Sequence, residues 1–184
     1  MAGRTSVASA FRRTVIVVAL LLTATSPSAE IIDRIAAVVG GQIIAKSDVD
    51  AAAAFGLASN LQELIDRTLM LNEVRRVAPP DPPAAALDVR VGVIRARFPT
   101  PEAFVRALQS GGLDDAAVRS SAADDLRLLA YLDERFLSAS LPTDEEVRQA
   151  GESARARLTA ERRQTLVNAW IAELRRRTDV TVLQ

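Results

Sequence analysis

Two short apolar runs, Ile35–Val39 and Gln42–Ala45, are separated by nothing but Gly40-Gly41. That arrangement leaves the chain few choices. Two residues joining two strands demand positive φ angles, which glycine supplies without steric cost, so residues 35–45 are expected to form a tight β-hairpin. Ser47, with Asp50 three residues on, is expected to start a helix as a variant capping box.

The segment before the hairpin has the layout of a secretory signal. Arg4, Arg12 and Arg13 precede an apolar run from Val15 to Leu22, and small residues follow to Ala29. The run is shorter than the ~20 residues that span a bilayer, so residues 1–29 are read as a cleaved signal, cut after Ser28 or Ala29, with no stable membrane insertion afterwards. The expected address is the periplasm. About 155 residues, 30–184, then form one domain. Losing three arginines and no acid turns an even balance of 23 basic and 23 acidic residues into a mild acidic excess. That charge argues against nucleic acid as a partner.

The chain has no cysteine and no histidine. Its stability outside the cytoplasm must come from its core, without disulfides. A cysteine for lipid attachment is missing, as are the commonest general base and the commonest transition-metal ligand. Adjacent acids occur at Asp114-Asp115, Asp124-Asp125 and Asp144-Glu145-Glu146, but neighbours on a helix point to different faces. They are read as caps and solvated surface, and Lys46 beside Ser47 is no better a nucleophile–base pair. No catalytic, cofactor-binding or metal-binding residue is assigned, and no enzyme activity is expected.

Downstream the pattern is helical. Residues 48–55 form a short helix broken at Gly56. Asn60 caps Leu61–Val77, whose apolar residues cover more than one face and mark a central helix. Pro79, Pro80, Pro82 and Pro83 stop it. Residues 84–98 fit a helical stripe through Leu87, Val91, Ile94 and Phe98, or a strand in which Val89, Val91 and Val93 alternate with Arg90 and Gly92. Thr100-Pro101 opens a helix that ends at Gly111-Gly112. Asp114 caps a long helix with a core stripe of Val118, Ala122, Leu126, Leu129 and Phe136. Thr143 to Glu146 is a capping box, and helix continues to Arg177 with a junction at Gly151. Residues 179–183 are β-type. The fold expected is mainly α with a small β element: a helical body whose N-terminal hairpin is joined by a C-terminal strand. Either Val180 and Val182 or Thr181 and Leu183 then pack beside Val38, Val39, Ile43 and Ile44.

Five segments, in order, resemble the SurA-type periplasmic chaperones. DRIAAVVGGQIIAKSD (33–48) is similar to the opening of the mature family members, with Gly40 where they often carry Asn. LQELIDRTLMLNEV (61–74), FPTPEAFVRALQSGGLD (98–114), LPTDEEV (141–147) and WIAELRRRTDVTVL (170–183) follow the family's later helices and closing strand. Family members usually insert parvulin-type prolyl isomerase domains before the closing helix. The gap from Glu146 to Arg155 has no room for one, and the histidine such sites typically use is absent, so isomerase activity is not carried over.

The resemblance implies an ATP-independent holdase for unfolded outer-membrane or other exported polypeptides, held on exposed apolar surface. Met70, Val74, Phe98, Phe104, Leu128, Tyr131, Leu132 and Phe136 are candidate client-binding residues, since flexible and aromatic side chains suit promiscuous contacts. Each also suits a core position. Tyr131 is the strongest candidate for exposure because its hydroxyl needs a partner. The alternative is a structural or adaptor subunit of an envelope assembly, a homodimer that swaps its terminal strands. The arginines at 155, 157, 162, 163, 175, 176 and 177, interspersed with Glu152, Glu161 and Glu173, are read as a solvated helix face.

Overall fold

The computed structural model describes residues 33–183; the proposed signal peptide lies outside them. The described chain is mainly α with a small β element. Strands β1 (Ile35–Val39) and β2 (Gln42–Ala45) precede helices α1 (Lys46–Phe55), α2 (Leu61–Val77), α3 (Ala84–Arg95), α4 (Pro101–Ser110), α5 (Asp115–Ser140), α6 (Asp144–Ala150) and α7 (Arg155–Arg177). Strand β3 (Val180–Val182) follows.

The hairpin turns at Gly40 and Gly41 with φ of 56° and 85°. The register pairs Val39 with Gln42 and Val38 with Ile43. Strand β3 adds to the other side of β1, antiparallel, opposing Val182 to Ala37 and Val180 to Val39. β1 is therefore the middle strand. The Gly40 N–H donates to the Asp179 carbonyl at 2.8 Å and the Leu183 N–H to that of Ala36 at 3.0 Å. Of the two faces open for the last strand, Val180 takes the inner one, against Ala37, Val39 and Ile44; Val182, on the same side, is largely exposed at the end of the ladder.

Caps explain where most helices start. The side chains of Asn60, Thr100, Asp114 and Thr143 each accept from the backbone N–H three residues on. The start of α1 differs from expectation. Asp48 accepts from the Ala45 N–H at 2.8 Å, whereas Ser47 donates its hydroxyl to the Asp33 carboxylate. A carboxylate at the third helical position serves the N-terminus as well as a hydroxyl cap would. Residues 84–95 are helix, not strand.

The body has two main hydrophobic centres. One joins the sheet to α2, α5 and α7 through Ala37, Val39, Ile44, Ile65, Leu69, Phe136, Trp170 and Leu174. The other joins the end of α1 to α3, α4 and the start of α5 through Phe55, Ile94, Phe104, Leu108, Val118 and Ala122. A small seam of Leu71, Val74 and Leu128 lies between α2 and α5.

One expectation for α5 is corrected. Its stripe was expected to pass through Leu126 and Leu129, yet Leu129 is 51% exposed and Leu128 is buried. The stripe runs Val118, Ala122, Asp125, Leu128 and Phe136, because a buried aspartate occupies one step.

Candidate functional site

The eight candidate residues do not gather in one groove. Val74, Phe104, Leu128 and Phe136 are buried, and Met70, Phe98, Tyr131 and Leu132 are half-buried. Val74 and Leu128 form the seam between α2 and α5, with Met70, Tyr131 and Leu132 packed against it. Phe136 packs edge-on to Trp170, centroids 5.9 Å apart. Phe98 and Phe104 meet at 5.4 Å, and Phe55 completes a trio of rings. Most of this aromatic surface contributes to the core; two open clefts expose part of it.

The first cleft, about 540 Å³, lies where α3 turns into α4. Phe98, Pro99, Pro101, Phe104 and Val105 give it apolar walls, and Arg95 and Asp115 stand beside them. Arg95 lies over the Phe104 ring at 5.3 Å and donates to Asp115 at 2.7 Å. Val89 and Val93, one helical turn apart on α3, are 69% and 51% exposed.

The second cleft, about 350 Å³, lies between the proline loop and α5. Its origin is local. Helix α2 ends at Ala78, whose φ of 49° puts a non-glycine residue in the left-handed region. The chain thereby turns into Pro79, and the prolines forbid further helix. Val77, Pro79, Pro80, Pro82 and Pro83 form one wall; Leu126, Ala130, Tyr131 and Glu134 of α5 form the other. Arg127 anchors the loop by donating to Asp81 at 2.5 Å and also contacts Asp124 at 3.3 Å. The Tyr131 hydroxyl accepts from Arg135 at 3.2 Å. Glu134 is exposed and has no ion-pair partner among the described residues.

Sequence reasoning missed the electrostatic frame around these clefts. Asp125 was read as solvated surface, but it is 5% exposed. Arg67 of α2 contacts it at 2.5 Å, and Arg90 of α3 donates two hydrogen bonds at 2.9 and 2.6 Å. Asp124 receives Arg75 at 2.8 Å. Arg119–Asp88 and Arg95–Asp115 add further links between α3 and α5. The signal was present as an acid at a core-stripe position with arginines on two neighbouring helices.

The other adjacent acids do match caps and surface. Asp114 caps α5, and Glu146 accepts from the Thr143 N–H at 2.7 Å and from Arg162. The Thr143 backbone and hydroxyl, followed by Arg162, hold the Glu146 carboxyl below its ordinary pKa. The seven arginines of residues 155–177 each meet an acid, including Arg163 with Asp133, Arg175 with Asp66 and Arg177 with Glu73. Among the described residues no group of three potential ligands is placed to hold a metal ion, and no helix is long and apolar enough to cross a membrane. The sequence matches no protein-family model and no curated protein.

Proposed function

We propose that this protein is an ATP-independent holdase of the periplasm, which keeps unfolded outer-membrane or other exported polypeptides from aggregating. The observation that carries the reading is the pair of open apolar clefts, one showing Phe98 and Phe104, the other Tyr131. Shallow apolar sites fixed on helices can hold extended client segments weakly and release them without nucleotide. Support also comes from the hairpin joined by the closing strand, the arrangement expected from residues 35–45 and 179–183. Only Gly151 and a single 3-10 turn, Glu152–Ala154, separate α6 from α7, at the place where the SurA-type chaperones that the sequence resembles carry isomerase domains. The reading is therefore of a binding module, not an isomerase.

The direct test is aggregation of a denatured outer-membrane protein on dilution from urea, without nucleotide. Suppression at equimolar to several-fold excess is expected; none across that range rejects the reading. A peptide prolyl isomerase assay should stay at background.

A second reading is an envelope adaptor that dimerises by strand exchange. It is favoured by the three-residue length of β3, whose ladder contacts are confined to β1. Such a short element can be exchanged between copies at little cost. A solution mass that doubles with concentration would favour it over a monomeric holdase.

A further inference from the structure

We infer that the proline-walled cleft selects client segments in which a basic residue adjoins an aromatic or aliphatic anchor. This rests on the reading of the protein as a binder of extended polypeptide, and it assigns one cleft a preference. The shape of the cleft suits an apolar anchor. Val77 and the prolines face Leu126 and Tyr131, while Ala86 and Ala130 are small enough to leave depth for one inserted side chain. Proline rings are rigid, so the wall loses little freedom when a ring or alkyl chain packs on it.

The charged part is an imbalance of donors and acceptors. Proline has no backbone N–H and keeps its carbonyl. Pro79, Pro80 and Pro82 therefore add carbonyls and no N–H to the wall, while the Pro83 carbonyl is taken by the Leu87 N–H at 3.0 Å. The one cation of the lining, Arg127, is already committed to Asp81 and Asp124. Glu134 stands at the rim, on the same face as Tyr131 one turn away, and has no cation of its own among the described residues. A guanidinium or ammonium placed beside an anchored side chain would meet the Glu134 carboxylate, unpaired among the described residues. A carboxylate there would be repelled by Glu134 and would find the Tyr131 hydroxyl but no uncommitted cation among the described residues of the lining.

The test uses three labelled nonapeptides that share one central Phe and differ in its neighbour, Arg, Gln or Glu. Binding to the purified protein is read by fluorescence anisotropy at low salt. The Arg peptide should bind about threefold more tightly than the Gln peptide, the size of one exposed ion pair, and the Glu peptide more weakly than either. Glu134→Gln should remove the preference for Arg while leaving the Gln peptide unchanged. Ala130→Trp, checked for folding by circular dichroism, should weaken all three by filling the cleft. Equal binding of the Arg and Glu peptides overturns the inference, as does an Arg preference that survives Glu134→Gln. These outcomes are separable from the holdase reading. Suppression of aggregation without charge preference removes the inference alone, and peptide preference without suppression removes the holdase alone.

Discussion

Arg67 and Asp125 are joined across the α2–α5 interface at 2.5 Å, with the aspartate 5% exposed and Arg90 completing its shell from α3. One carboxylate thus ties three helices together. Removing it strands two partly buried guanidinium groups. Asp125→Ala should cost about 3 kcal/mol of unfolding free energy by urea titration. Asp125→Leu combined with Arg67→Met should recover much of that loss, because a buried pair is more expendable than either half alone. A neutral Asp125→Ala would mean that water already serves this site.

Strand β3 should contribute to stability beyond its length. Removing residues 179–184 takes away the Gly40–Asp179 and Leu183–Ala36 hydrogen bonds and uncovers Val39 beneath Val180. At about 1 kcal/mol per hydrogen bond, with apolar burial in addition, the loss should reach about 3 kcal/mol. Trp170, the only tryptophan, is buried in the same centre as Val39 and reports the change by a red shift in emission. An unchanged melting temperature would show that β3 is not part of the folded unit.

Ala78 occupies a backbone region that costs a non-glycine residue roughly 1 kcal/mol. Ala78→Gly should therefore raise stability by up to about 1 kcal/mol, less the extra freedom glycine gives the unfolded chain. A clear loss in urea titration would show that the methyl group packs usefully against the loop.

The caps at the starts of α2 and α6 should make stability depend on acid. The Glu63 and Glu146 carboxyls have their pKa values lowered, first by the backbone N–H groups of Ser59 and Thr143 respectively. A lowered folded pKa means that the unfolded chain binds protons first. The contribution is full above the ordinary value of 4.5 and is lost as pH falls through and below it. Thr143→Ala should flatten the acid limb of a melting-temperature profile and leave neutral pH less affected than Asp125→Ala does. An unaltered acid limb would place the dependence elsewhere.

Local chemistry was the legible part of this sequence. Gly40-Gly41, Asn60, Thr100, Asp114 and Thr143 each announce a turn or cap that needs only near neighbours, and the structure has each where the sequence puts it. What was not legible depends on distant partners. Asp125 looks polar until Arg67 and Arg90 are brought to it, and skipping it moved the expected stripe of α5 from Leu128 to Leu129. Residues 84–95 balance helix against strand on periodicity alone; contact with α5 through Leu87, Val91 and Ile94 settles them as helix. The candidate site was legible only as a list of apolar residues. Burial divides that list: half of it lies in the core, and the second cleft takes one wall from prolines whose sequence signal is only a helix stop.

The position of β1 between its earliest and latest partners has a temporal consequence. The hairpin can form as soon as β2 follows it, but the other edge of β1 stays open until residues 180–182 arrive. A chain emerging N-terminus first therefore cannot finish its sheet before all seven described α-helices have appeared. Early closure is ruled out by connectivity, and pairing between such distant segments is slow to form. In this molecule completion of the sheet waits on the strand that is delivered last.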